Sequence, residues 1–275
     1  MPQMLIDHVQ RHVVRTFGWL AAILLSGMAL AVQPNAAPEI SGDDRQQSQR
    51  RLADSTEFRI TVAGTRTSSD LVTLEELLHI VPEKAMGEVQ KAERARAENR
   101  TEEAIAHFNR ALLIDPDFAA ARNNLATILL PTNPELAVSQ LEEAIKIDPR
   151  NPLLFLNLTL GYAMLHRLDI AERAARRAVG LDRTGGYARF LLGVVLVDQK
   201  QFTDEALKCL EQAPHFPVAH LLAARVLLMQ NNLDRAKSEI QMYMSTGDQD
   251  NRAIATSWLD LIDQEGPKSA LLLPQ

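Results

Sequence analysis

Five alanines, Ala104, Ala137, Ala171, Ala206 and Ala236, follow one another at steps of 33, 34, 35 and 30 residues. A second series, Ala111, Ala144, Ala178 and Ala213, runs seven residues behind and keeps the 33-, 34- and 35-residue steps. No other feature constrains the fold as much. A period near 34 residues suits a unit of two helices and two turns, and one such unit cannot bury its apolar face alone. Copies must stack, each touching only its neighbours. Small residues held in phase mark places where helix axes pass close together. The expectation is a scaffold with an open face, and the prior for a self-contained enzyme falls.

Counted from the start of each first helix, the units line up position by position. The first has Ala92 at 8, Ala104 at 20, Phe108 at 24, Ala111 at 27 and Pro116 at 32. The second has Leu125, Ala126, Ala137, Leu141, Ala144 and Pro149 at 7, 8, 20, 24, 27 and 32, with a turn one residue short around Pro131-Thr132-Asn133-Pro134. The third keeps Leu158, Tyr162, Ala171 and Ala178 but has Thr159 at 8 and Arg183 at 32, so Gly185-Gly186 is expected to make its turn. The fourth has Leu192, Gly193 and Leu196 at 7, 8 and 11, and one extra residue before Ala206. The fifth has Ala224, Leu227, Ala236 and Ile240, but Tyr243 at 27. A regular sixth unit cannot pack on that tyrosine. Ala253, Trp258, Leu259, Leu261 and Ile262 instead predict a closing helix at about 250–264.

Small residues at 8, 20 and 27, large apolar ones at 7, 11 and 24, and Pro at 32 resemble the tetratricopeptide repeat family over about residues 84–264. The stretch Leu-Glu-Glu-Leu-Leu-His-Ile-Val-Pro ahead of the first unit also resembles exported bacterial members. The resemblance implies an all-α fold, a right-handed helical-hairpin solenoid of about five units with a C-terminal capping helix. It implies a non-catalytic scaffold for protein–protein interaction, with no cofactor. In that family the first helices line a concave groove at positions 2, 5, 6, 9, 12 and 13. Here those positions carry Asn123, Asn124 and Thr127; Leu153, Leu156, Asn157 and Leu160; Tyr187, Phe190 and Val194; and Leu221 and Arg225.

Asn124 and Asn157 both fall at position 6. A side-chain amide donates and accepts, so it can pair with an extended peptide backbone, as asparagine ladders do in related grooves, or it can bridge to a neighbouring helix. The apolar stripe of units three to five is either an open docking face for a peptide or helix, or is closed by tighter packing. A carboxylate clamp is not expected, because Arg122, Arg189 and Arg225 are spread over three units. The alternative reading is a structural or self-assembling envelope protein that oligomerises through the groove or the Trp258 cap.

The ends carry other signals. Arg11 and Arg15 precede the uncharged apolar stretch Phe17–Ala31, which ends in Ala29-Leu30-Ala31. Residues 1–31 read as an export signal, or as a membrane anchor though shorter than the roughly 20 residues a span needs. The chain is expected to be periplasmic or secreted, or held at the inner membrane by residues 17–31. Residues 32–69 read as a flexible linker, in which Phe58-Arg59-Ile60-Thr61-Val62 alternates like a short strand. Thr73 with Glu76 forms a capping box, predicting a helix at about 74–80 within a 70–83 lead-in, and Pro82 is expected as the first residue of the next helix. Residues 265–275 read as a disordered tail.

Catalytic signatures are missing. The chain has no GxGxxG, P-loop, HExxH or GxSxG. His215 and His220 flank Phe216-Pro217 with no Cys or paired carboxylate at ligand spacing, so no metal site is expected. Glu102-Glu103 and Glu142-Glu143 are expected at equivalent helix starts, favouring the dipole. Cys209, the one thiol, reads as a small core residue. A net charge of -6 gives no basis for binding nucleic acid. The partner is expected to be a protein or peptide; membrane contact would need an uncleaved N-terminus, and homo-oligomerisation is open.

Overall fold

All but one of the alanines of the two tracks lie in helices, the exception being Ala213, just past the end of its helix. The computed structural model describes residues 79–182, 185–249 and 251–269, and among these it has eleven helices and no strand. Five hairpins pair α1 (Glu83–Ala97) with α2 (Thr101–Ile114), α3 (Ala119–Leu129) with α4 (Pro134–Ile147), α5 (Pro152–Met164) with α6 (Leu168–Leu181), α7 (Gly186–Asp198) with α8 (Asp204–Glu211), and α9 (Pro217–Met229) with α10 (Leu233–Ser245). A last helix, α11 (Arg252–Ser269), packs on α10. Each second helix also leans on the next hairpin, and α3, α5, α7 and α9 touch in succession.

The nine track alanines are 0–1% exposed. Their smallness is a geometric need, most directly visible at Gly193. A Cβ there would stand 2.8 Å from Leu210 Cγ, so only glycine lets α7 approach α8. Thr159, the third unit's departure at position 8, is fully buried. Its hydroxyl donates to the Phe155 carbonyl at 2.7 Å, which satisfies it within its own helix.

The turns explain the spacing. Asn99, His166, Lys200 and Asn231 all adopt φ between 56° and 61°, each the fifteenth residue of its unit. A left-handed residue there ends the first helix, and the next N–H reaches back to a helix carbonyl: Arg100 to Ala95, Arg167 to Tyr162, Gln201 to Leu196 and Asn232 to Leu227. The short second turn lacks this device. Asn133 caps α4 instead, its side chain accepting from the Leu136 N–H at 3.1 Å. Between units three and four, where Arg183 replaces the proline, the Asp182 carboxylate accepts from the Gly185 N–H at 2.9 Å, and Gly185 caps α7.

Several expectations shift. Pro82 is the N-cap, one residue before the helix, because α1 begins at Glu83. His79 and Ile80 are not helical. The rest of the 74–80 helix, the signal, the linker and the Phe58–Val62 strand lie outside the described residues. Glu142 and Glu143 do not match Glu102 and Glu103. The latter pair is in the first turn of α2, but the former lies two turns into α4, where Glu142 accepts from the Tyr162 hydroxyl and Glu143 pairs with Lys146. The extra residue of unit four feeds a five-residue turn, Gln199–Thr203, ahead of an α8 of only eight residues capped by Thr203. The closing helix continues through Ser269, over residues expected as tail. Tyr243 is fully buried, and its hydroxyl accepts from the Asn251 N–H at 3.0 Å, so it anchors the start of α11.

Candidate functional site: the face built by the first helices

The residues expected to line the groove divide into two sets. Asn124, Thr127, Leu153, Leu156 and Tyr187 are partly exposed, and they lie on the successive first helices α3, α5 and α7. Asn123, Asn157, Leu160, Phe190, Val194, Leu221 and Arg225 are buried.

The asparagines bond mainly to one another. Asn157 Nδ2 donates to Asn123 Oδ1 at 2.7 Å, Asn123 Nδ2 donates to Asn124 Oδ1 at 3.3 Å, and Asn124 Nδ2 donates to Glu93 Oε1 at 3.0 Å. The chain thus ties α5 to α3 and α3 to α1. It matches the bridging alternative for these amides. Each amide offers two N–H donors and two acceptor lone pairs, so the half-exposed Asn124 keeps capacity for a further partner. Glu93, which also pairs with Arg96, was not among the residues expected to line the groove, although position 9 of the first unit points to it.

The apolar stripe of units four and five is closed. Leu191 to Val197 and Leu221 to Leu228 are continuous buried runs, so the middle turns of α7 and α9 are covered on every side. Phe190 stacks on Phe216 at 4.6 Å, and Tyr187 lies 5.6 Å from Phe216. Arg225 stands over the Phe202 ring at 5.5 Å. Asp198, which position 13 of the fourth unit would have flagged, faces this region too. Burial pushes its carboxyl up to about 6, with the Arg225 and His166 charges pulling the other way. Burial alone raises the Tyr187 hydroxyl to about 12, and burial lowers Arg225 against the pull of Asp198.

Other polar side chains tie helices together. His107 bonds Glu88 at 2.7 Å, His220 bonds Glu239 at 2.8 Å, and Arg122 bonds Gln140 at 2.9 Å, each joining the two helices of a hairpin at positions 4 and 23. His215 and His220 do not converge on a metal site, and no group of three metal-ligating side chains occurs among the described residues. Cys209 is buried, and burial raises its thiol pKa. No described helix is long and apolar enough to cross a membrane.

No curated protein matches the chain. Solved structures share its fold. The YrrB structure, described as a TPR protein with an unusual peptide-binding site, is 24% identical with a TM-score of 0.53, covering 63% of this chain and 90% of YrrB. PilF of Pseudomonas aeruginosa is 21% identical at TM-score 0.55, over 68% of this chain and 93% of that one. MamA of Desulfovibrio magneticus RS-1 is 13% identical at TM-score 0.56, over 60% and 96%. The family profile described as Tetratricopeptide repeat matches residues 89–152 and 162–217, spanning the hairpins from α1 to α8. With repeat phase, hairpin order and helix crossings in agreement, residues 89–152 and 162–217 are tetratricopeptide repeats.

Proposed function

We propose that the chain is a non-catalytic protein-interaction scaffold that holds an extended peptide along α3, α5 and α7. The observation that carries this reading is the partly exposed strip of Asn124, Thr127, Leu153, Leu156 and Tyr187 on three adjacent first helices. Asn124 supplies amide hydrogen bonds to a peptide backbone, and Leu153 and Leu156 supply apolar contact. The peptide-binding site in YrrB's description supports the same use of the fold. Arg11, Arg15 and the apolar Phe17–Ala31 stretch support export, with the scaffold acting in the periplasm or beyond. A mature N-terminus at Val32 is the expected mark of signal cleavage.

The test is peptide selection by display against the full chain, followed by affinity measurement on a variant carrying Asn124→Ala and Leu156→Asp. Both side chains are partly exposed, so the fold should tolerate the changes. Selected peptides should bind the variant at least ~10-fold more weakly, about 1.4 kcal/mol. Equal affinity for both proteins would place the ligand elsewhere.

A further inference from the structure

The face built by the first helices closes toward unit five, but one row of it stays open. In units four and five, positions 5, 6 and 9 are buried without exception. Position 2 keeps accessible surface: Ala120 is exposed, and Leu153, Tyr187 and Val218 are partly exposed. Each is the second residue of α3, α5, α7 or α9, helices that touch in succession, so the four form a rim along one edge of the array. None of them is charged. Aromatic residues make up only 5% of the chain, yet two more stand at this rim. Phe118 and Phe216 are the N-cap residues of α3 and α9, and both are partly exposed. Tyr187 and Phe216 lie 5.6 Å apart with their rings tilted by 42°, and Phe216 rests on the buried Phe190 ring at 4.6 Å. The Tyr187 hydroxyl is buried, so its side chain can offer only carbon.

We infer that this rim holds a proline-rich segment of a partner protein in the polyproline II conformation, with a proline seated on the Tyr187–Phe216 pair. This rests on the peptide-site reading given above and names the class of peptide. Spacing is the first support. Helices in contact stand about 8–10 Å apart. A polyproline II chain returns a side chain to the same side every three residues, or about 9.3 Å. One apolar residue in three then keeps step with Ala120, Leu153, Tyr187 and Val218. A strand returns to the same side every ~6.7 Å and an α-helix every ~5.4 Å, so neither advances one unit per return. Contact chemistry is the second support. A proline ring is apolar and its nitrogen carries no N–H, so it asks for no acceptor from a surface that offers only carbon. Aromatic surface is what holds such segments. A lysine or glutamate at the repeating position would lose hydration against an uncharged row and gain no opposite charge from it. A preformed polyproline II segment also gives up little conformational freedom on binding, which suits a shallow rim.

The experiment titrates the isotope-labelled full chain with synthetic peptides and follows its backbone amide signals by NMR. A repeating Leu-Pro-Pro peptide is the probe. A repeating Leu-Gly-Ser peptide keeps the leucine spacing without the polyproline II conformation, and a repeating Lys-Pro-Pro peptide keeps the conformation with a charge. Saturable shifts at Leu153, Tyr187, Phe216 and Val218 with Leu-Pro-Pro are expected, with at least ~10-fold weaker binding of both controls, about 1.4 kcal/mol. Tyr187→Leu should weaken Leu-Pro-Pro several-fold, and the shift map of the parent chain places the peptide without any variant. No saturable shift with Leu-Pro-Pro, shifts confined to residues away from the rim, equal binding of either control, or unchanged affinity in a folded Tyr187→Leu chain overturns the inference. Display-selected peptides that still depend on Asn124 and Leu156 would then leave the peptide site standing and remove only its proline-rich ligand.

Discussion

Asp198→Asn is expected to make the protein more stable at neutral pH and to lose that advantage in acid. Burial lifts the Asp198 carboxyl from 3.8 to about 6, despite the opposing Arg225 and His166 charges. The folded chain therefore holds this proton more tightly than the unfolded chain. Its stabilising effect is complete below 3.8 and is lost as the pH rises through about 6. At about pH 7.5 the ionised carboxylate costs on the order of 3 kcal/mol relative to a neutral group. Asparagine has nearly the same shape and no charge, so the variant should recover ~2–3 kcal/mol, or roughly 5–10 °C in melting temperature for an array of this size. The assay is thermal and urea unfolding of both full chains, followed by circular dichroism, at about pH 7.5, 6 and 4. The margin should shrink steadily and approach zero at the lowest pH. A variant no more stable than the parent at about pH 7.5, or a margin independent of pH, would refute the assignment of a buried, underpaired carboxylate.

Two glycines should respond oppositely to alanine. Gly193→Ala forces a Cβ to 2.8 Å from Leu210 Cγ and should lower stability by ~1–3 kcal/mol, whereas Gly180→Ala meets nothing within 4 Å and should raise it by up to ~1 kcal/mol, both read from urea midpoints. Tyr243→Phe removes the acceptor of the Asn251 N–H; it should cost ~1 kcal/mol and speed hydrogen exchange in α11 while leaving α1 to α6 unchanged. Asn157→Leu strands the buried Asn123 Oδ1, and a loss of ~1–3 kcal/mol is expected in chemical unfolding.

The alanine tracks made the architecture legible because a helix crossing tolerates no bulk, and that demand falls on single positions. The irregular steps were equally readable: the short second turn, the inserted residue before α8 and the tyrosine in place of a small residue each left a mark in the spacing. Helix phase went wrong where only a dipeptide guided it, as with Glu142-Glu143, which sit two turns deeper in their helix than Glu102-Glu103. That these residues fall on the first helices was legible, but their exposure was not. Position 9 identifies Val194 and Arg225 as facing inward, yet how closely α7 and α9 pack depends on contacts between units that no local rule contains. The sequence left the use of the asparagines open for a similar reason. Whether an amide meets a ligand or another amide depends on which position of one unit lies opposite which position of the next, and here position 6 of the third unit meets position 5 of the second.

Closure of the second half changes what the groove can recognise there. If apolar contact with α7 and α9 drove binding, Phe190, Val194 and Leu221 would have to be offered to solvent, but none is more than 3% exposed. Their energy is already committed to holding units four and five together. The polar atoms of that half are in the reverse condition, desolvated but unpaired at Asp198 and Arg225. Hydrogen bonding to a desolvated site discriminates strongly, because the wrong ligand leaves the buried groups unpaired. Apolar contact is less selective, and Leu153 and Leu156 offer it in the open half. On the proposed reading, changing Leu153 or Leu156 should weaken most peptides together.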